Sequence, residues 1–160
     1  MNKKPRSQRN LLIGDMLEIR TKKGLAYAQC THKVPFFGHL IRVLPGFHRA
    51  PIEDCSKVAA AQECFVTFVF WNKNVDRNVM HVVGRVAVPE RCKQFPLFKD
   101  GSADPKTGKT STWWLWDGNK EWRVGKLTAK QKDLPMRWIL NTVALVDMIE
   151  SGWRPRDEVK

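Results

Sequence analysis

Long apolar runs are missing from this chain. The longest, CFVTFVFW at 64–71, is far short of the roughly 20 residues that a membrane-spanning helix requires. The first residues, MNKKPRSQRN, are basic like the start of a secretory signal, but no apolar core follows, and Asp15 and Glu18 interrupt. The chain therefore reads as cytoplasmic, with no membrane partner and with residues 1–10 a disordered basic tail. Cysteine is sparse, and Cys30, Cys55, Cys64 and Cys92 include no CxxC pair. In a reducing compartment each reads as a small buried apolar residue, not half of a disulfide. Cys30, His32, Cys55 and Cys64 carry donors that suit zinc, yet lack the close paired spacings of zinc sites, so neither a metal nor any cofactor is expected. Internal repeats and linkers are absent too. The 160 residues read as one domain over 11–153, with a charged tail at 154–160.

Acidic residues are also scarce. Lys and Arg number 28 against 16 Asp and Glu, for a net charge of +12. The excess is concentrated early, since residues 1–50 hold ten basic groups and two acidic ones. Such a chain attracts polyanions: nucleic acid, an anionic surface or an acidic protein.

What is present alternates. IGDMLEIR (13–20) and GLAYAQCTHKV (24–34) read as strands joined at Thr21-Lys22-Lys23-Gly24, where glycine can take the positive φ of a short hairpin. GHLIRVL (38–44) is a third strand, followed by an irregular stretch to 63 with one helical turn. CFVTFVFW has the two-sided apolarity of a covered central strand. In VMHVVGRVAVP (79–89), Met80, Val82, Val86 and Val88 share a face. Residues 91–111 have the composition of a surface excursion.

Four of seven tryptophans fall within TWWLWDGNKEWRVG, residues 112–125. The runs WWLW and EWRV flank Asp117-Gly118-Asn119-Lys120, which predicts a hairpin with Trp122 near Trp116. An indole buries about 200 Å2. At least three of Trp113, Trp114, Trp116 and Trp122 are thus expected to be mainly buried. Thr128-Ala129-Lys130-Gln131 reads as a capping box. From Met136, apolar residues at helical spacing through Ile149 predict an amphipathic helix over 136–151, ended near Gly152, with Asp147 inside its apolar arc. Strands first and helices last predict an α+β domain: a strongly bent antiparallel sheet, or a partly open β-barrel, with the C-terminal helix packed on it.

Chemistry is harder to find. ADPKTGKT (103–110) fits a loosened phosphate-loop pattern, but the β-branched and aromatic residues that follow are not helical and Pro105 removes a donor. It reads as a flexible basic loop. His32, His39, His48 and His81 stand singly, and Asp15, Glu18 and Arg20 share one strand, so no catalytic residue is assigned and no enzyme is expected. A nucleic-acid reader would combine Lys22, Lys23 and Arg42 with Tyr27 and Phe37 as stacking partners.

The order of segments resembles the immunity protein 26 family of bacterial toxin–immunity systems. The pieces that carry the likeness are Gly14-Asp15 with its alternating strand to Ile19, Gly24–Gln29, the strand at 64–71, Val88-Pro89-Glu90, Phe95-Pro96-Leu97-Phe98, the Trp-rich hairpin, Leu134-Pro135, and Gly152-Trp153 after the last helix. The resemblance spans about residues 11–153. It implies a small α+β protein that binds a toxin without catalysis. On this reading the working surface is basic and faces a protein toxin or another acidic protein surface. Lys22, Lys23, Arg42, Arg49, Lys106 and Lys109 would line it, with Trp113 as an aromatic anchor. The alternative is a nucleic-acid-binding module.

Overall fold

The computed structural model describes residues 10–159; apart from Asn10, the basic tail lies outside the described residues. Five strands follow the predicted order: β1 (Asp15–Thr21), β2 (Gly24–Val34), β3 (Gly38–Val43), β4 (Phe65–Val69) and β5 (Met80–Arg85), with a short helix α1 (Cys55–Ala59) before β4. Three further strands are β6 (Phe98–Asp100), β7 (Trp113–Trp116) and β8 (Glu121–Gly125); β9 (Ile139–Leu140) and the helix α2 (Thr142–Ser151) close the chain's regular structure.

The fold is α+β, with a six-stranded sheet in the order β5-β1-β2-β3-β4-β9 and a three-stranded sheet in the order β6-β7-β8. The larger sheet is mixed, because β9 runs parallel to β4. It does not close into a barrel and ends at β5 and β9. Its β1–β2 turn forms as the sequence predicts, with Gly24 at φ +128°.

Alternation along the central strands buries apolar residues on both faces of the sheet, in three clusters. Leu17, Ile19, Ala26, Ala28, Cys30, Ile41, Val43 and Phe65 face one way and bury Leu145 and Ile149 of α2. The opposite face meets two different covers. Met16, Tyr27 and Leu44 pack under the segment around α1. Leu40 and Phe68 pack against Phe98 and Trp116 of the smaller sheet. There Phe68 and Phe98 stack at 5.2 Å and Phe37 lies 4.7 Å from Trp116. Each such aromatic pair adds about 0.5–1.5 kcal/mol beyond area burial.

Several expectations are corrected. The predicted helix over 136–151 begins only at Thr142, because the Asn141 side chain accepts the Ala144 N–H and caps it there. Ile139 and Leu140 instead pair with Phe68 and Val69. Asp147 is exposed, not within the apolar arc. The excursion at 91–111 is not all surface, since Phe98 and Lys99 are buried in β6. Within the charged segment after Trp153, Pro155 is buried in a short 3-10 turn, and Glu158 accepts the Trp153 indole N–H at 2.8 Å. Thr128 and Gln131 do form the predicted reciprocal box, with Thr128 N–H on Gln131 Oε1 at 2.9 Å and Gln131 N–H on Thr128 Oγ1 at 3.3 Å, but the helix they open is a single 3-10 turn.

Candidate binding surface

The predicted surface residues divide into three groups. Lys22, Lys23 and Arg49 are exposed and gathered at one end of the larger sheet. The 47–49 segment is held against the β1–β2 turn by paired hydrogen bonds of 2.8 Å between Leu25 and His48. Lys23 lies over the Phe47 ring at 5.9 Å, and the Lys22 N–H donates to Glu150 of α2 at 2.8 Å. This end is therefore basic, partly aromatic and firmly positioned.

Lys106 and Lys109 are exposed on the connection between β6 and β7, closed by a bridge between Ala103 and Thr110. Within it Asp104 Oδ1 accepts the Lys106 N–H at 2.7 Å and the Thr107 N–H at 3.3 Å. The Gly108 N–H donates to Asp104 O and the Lys109 N–H to Thr107 Oγ1, so the N–H groups that a phosphate cradle would offer are taken within the loop, and no helix follows.

Arg42 and Trp113 are not surface residues. Arg42 is fully buried: its Nε donates to Gln29 Oε1 at 2.9 Å, Nη1 to Ala61 O at 3.1 Å and Nη2 to Ala59 O. Glu63 stands 3.5 Å from Nη1. Arg42 fastens the 59–63 segment to the sheet and cannot meet a partner by its side chain there. Trp113 is 5% exposed and packs beneath the Lys99 ammonium group, 5.9 Å from its ring. The proposed base-stacking set fails for the same reason. Tyr27 is buried with Arg42, and Phe37 is packed against Phe68 and Trp116.

The tryptophan hairpin is half inside. Trp113 and Trp116 are buried, whereas Trp114 and Trp122 each remain 40% exposed. Trp122 lies opposite Leu115, not Trp116, because Asp117 N–H bonds Lys120 O and places Glu121 against Trp116. Trp114 shares its face with Trp116 while Trp122 shares the other with Leu115, so the two exposed indoles sit on opposite faces of the small sheet and form no common platform.

One exposed aromatic was not anticipated. Between β2 and β3, Pro35 and Phe36 form the apex of a turn in which Phe37 N–H bonds Val34 O at 3.2 Å. Phe36 has φ +68°, the sole positive φ among the described non-glycine residues, and is 96% exposed. This is the third position of a type II-like turn, where glycine or asparagine is usual. The signal in the sequence was two adjacent phenylalanines, Pro35-Phe36-Phe37-Gly38, in a stretch too short for a strand. The chain cannot relax by shifting along, because a Cβ at Gly38 would lie 2.5 Å from Val69 O.

Several buried titratable groups are engaged structurally. Tyr27 donates to Glu18 at 2.9 Å and accepts the Ile52 N–H at 3.1 Å, while His81 Nε2 stands 3.5 Å from Glu18. Burial pushes the Tyr27 phenol up to about 12. Asp15 pairs with Arg85 at 3.0 Å. Cys30 lies in the core facing α2 and Cys55 packs on the opposite side of the sheet, so the zinc set suggested by residue type is split. Among the described residues no three His, Cys, Asp or Glu side chains gather to hold a metal, all four cysteines are free thiols, and no helix is long and apolar enough to cross a membrane.

Comparison with known proteins finds no matching family model, no matching curated protein and no matching solved structure.

Proposed function

We propose that the chain is a non-catalytic binding protein of the immunity type, which holds a protein toxin through an aromatic anchor and an electropositive surface. The observation that carries this reading is Phe36. A left-handed conformation costs a non-glycine residue roughly 1–2 kcal/mol, and a ring 96% exposed returns no burial to the free fold. Strain of this kind collects at ligand clamps, where presentation of the side chain is the gain. Aromatic anchors supply much of the binding energy at protein interfaces. With a net charge of +12 on the chain as a whole, the complementary partner is a protein with an apolar socket and an acidic surface. Lys22, Lys23 and Arg49, at the other end of β2 from Phe36, would act through the long-range field that steers the partner in, and Lys106 and Lys109 would add to it.

The test is to look for a toxin domain encoded beside this chain's gene and to titrate it calorimetrically, with growth rescue on co-expression as a second readout. A saturable complex is expected. Phe36→Gly should weaken it by about 2 kcal/mol, roughly thirtyfold, without lowering the unfolding midpoint. Lys22→Glu with Lys23→Glu should slow association. Failure to bind, or binding indifferent to both sets of changes, removes the proposal. Titration of a nucleic-acid 20-mer serves as the contrary arm: binding at about 50 mM salt that disappears steeply by 200 mM would select the nucleic-acid reading instead.

A further inference from the structure

Arginines wall a second feature, which the partner-binding reading does not use. A cleft of about 550 Å3 opens beside the buried Arg42, between β3, β4, the 91–97 segment and the 154–156 turn. Arg42, Arg91, Arg154 and Arg156 line it against two carboxylates, Glu63 and Asp133. The carboxylates are unequally spent. Asp133 is held by Arg156 through two contacts of 2.7 Å. Glu63 is shared, 3.5 Å from Arg42 and 3.5 Å from Arg91, beyond good hydrogen-bond length for either. Arg42's close acceptors are all neutral oxygens, of Gln29, Ala59 and Ala61. The Arg154 guanidinium donates only to the Gly152 and Trp153 carbonyls, at 3.2 and 2.8 Å, and meets no carboxylate among the described residues.

Nothing else on the walls cancels the excess. The Cys64 and Cys92 thiols are both pushed up, first by burial, and stay neutral at pH 7. Phe95, Leu97 and Pro135 supply apolar surface beside the guanidinium groups. A concave site with low-dielectric walls focuses uncompensated charge toward its mouth. Guanidinium forks match carboxylate and phosphate oxygens in geometry. The volume falls within the usual range for small-molecule sites.

We infer that this cleft binds an organic anion, a carboxylate or phosphate carried on an apolar body, with Arg91 and Arg154 as the arms that reach it and Arg42 as the fixed charge behind them. The anion would take the place that Glu63 fills only at long range, and its apolar body would lie along Phe95 and Leu97.

The experiment is calorimetric titration of the full chain with phenyl phosphate, 3-phenylpropionate, the neutral 3-phenylpropionamide and inorganic phosphate. Both aromatic anions should bind about tenfold more tightly than the amide, and whichever binds more tightly identifies the head group. Arg154→Gln, at an exposed position, should weaken anion binding about three- to tenfold with the unfolding midpoint unchanged; Arg91→Gln should weaken it similarly, with a midpoint lowered by loss of its 2.9 Å bond to the Ala61 carbonyl. Phe36→Gly should leave anion binding unaltered, which separates this site from the partner surface. Equal binding of amide and anions, equal binding of inorganic and phenyl phosphate, no binding by about 10 mM, or affinities untouched by either arginine substitution would each overturn the assignment.

Discussion

Arg42→Met is the most informative single perturbation of the fold. Methionine keeps most of the volume but has no donors, so Gln29 Oε1 and the Ala59 carbonyl lose their partner together, while the Ala61 carbonyl keeps only the Arg91 guanidinium at 2.9 Å. Each buried acceptor left unsatisfied costs about 1–3 kcal/mol, less where water can enter from the cleft, and the expected loss is about 3–5 kcal/mol. Glu63→Gln supplies the control. Its carboxylate is partly exposed and no nearer than 3.5 Å to either arginine, so the loss should stay below about 1 kcal/mol. Urea unfolding at pH 7, with the denaturant slope unchanged, reads both numbers. If Glu63→Gln destabilises as much as Arg42→Met, the ion pair holds the segment and the carbonyl clamp does not. An Arg42→Met loss under about 1 kcal/mol would refute the clamp outright.

Phe36→Gly should leave stability unchanged or raise it by up to about 1 kcal/mol, release of strain outweighing glycine's extra unfolded-state entropy, and the thermal midpoint should rise by up to about 4 °C. Gly38→Ala should do the reverse and destabilise by more than about 1 kcal/mol in the same scan, because its methyl would meet Val69 O and Phe70. Asn141→Ala should cost about 1 kcal/mol in chemical denaturation through loss of the cap on the Ala144 N–H. Lys99 gives a pH signature: burial lowers its ammonium to about 8, so between pH 8 and 10 the unfolded chain holds a proton that the folded one has released. Stability contributed at this site therefore rises with pH, by about 1 kcal/mol per unit, when wild type is compared with Lys99→Met so that the opposing cysteine and Tyr27 effects cancel; a flat difference across that window would refute it.

Much of the sheet was legible because alternation is a local property. GLAYAQCTHKV and GHLIRVL each carry the face assignment within themselves, and the β1–β2 and β7–β8 turns announce themselves with glycine. The helix start was not legible for the opposite reason. Ile139, Leu140, Val143 and Val146 satisfy a helical period whether or not the first two are extended, and only the edge of β4, supplied from 70 residues earlier, decides it. Lys99 reads as solvent-facing until Lys132 O and Pro155 O, at 2.5 and 2.7 Å, are brought to it from the far end of the chain. The candidate surface was legible in part. Lys22, Lys23 and Arg49 are exposed as charge alone predicts, but nothing in HLIRVL distinguishes an arginine in a core from one in water.

That position explains why the clamp and the cleft occur together. Leu40 and Arg42 of β3 and Leu44 just past its end lie on one face, and the two leucines enter different cores, one under the smaller sheet and the other under the α1 segment. Between two covers of different shape there is a seam, and an apolar side chain there would leave the Ala59 carbonyl without its donor and the Ala61 carbonyl with Arg91 alone. A guanidinium fills it with several N–H groups on one planar head. With Arg91 and Arg154 beside it, the charge in the seam is larger than Glu63 alone neutralises, so the space left between the covers is positive as well as open. An anion that bound there would stabilise the native state in proportion to the logarithm of its concentration over its dissociation constant. The stabilisation should be largest in wild type and reduced in Arg154→Gln, even though the two proteins unfold at the same midpoint without ligand.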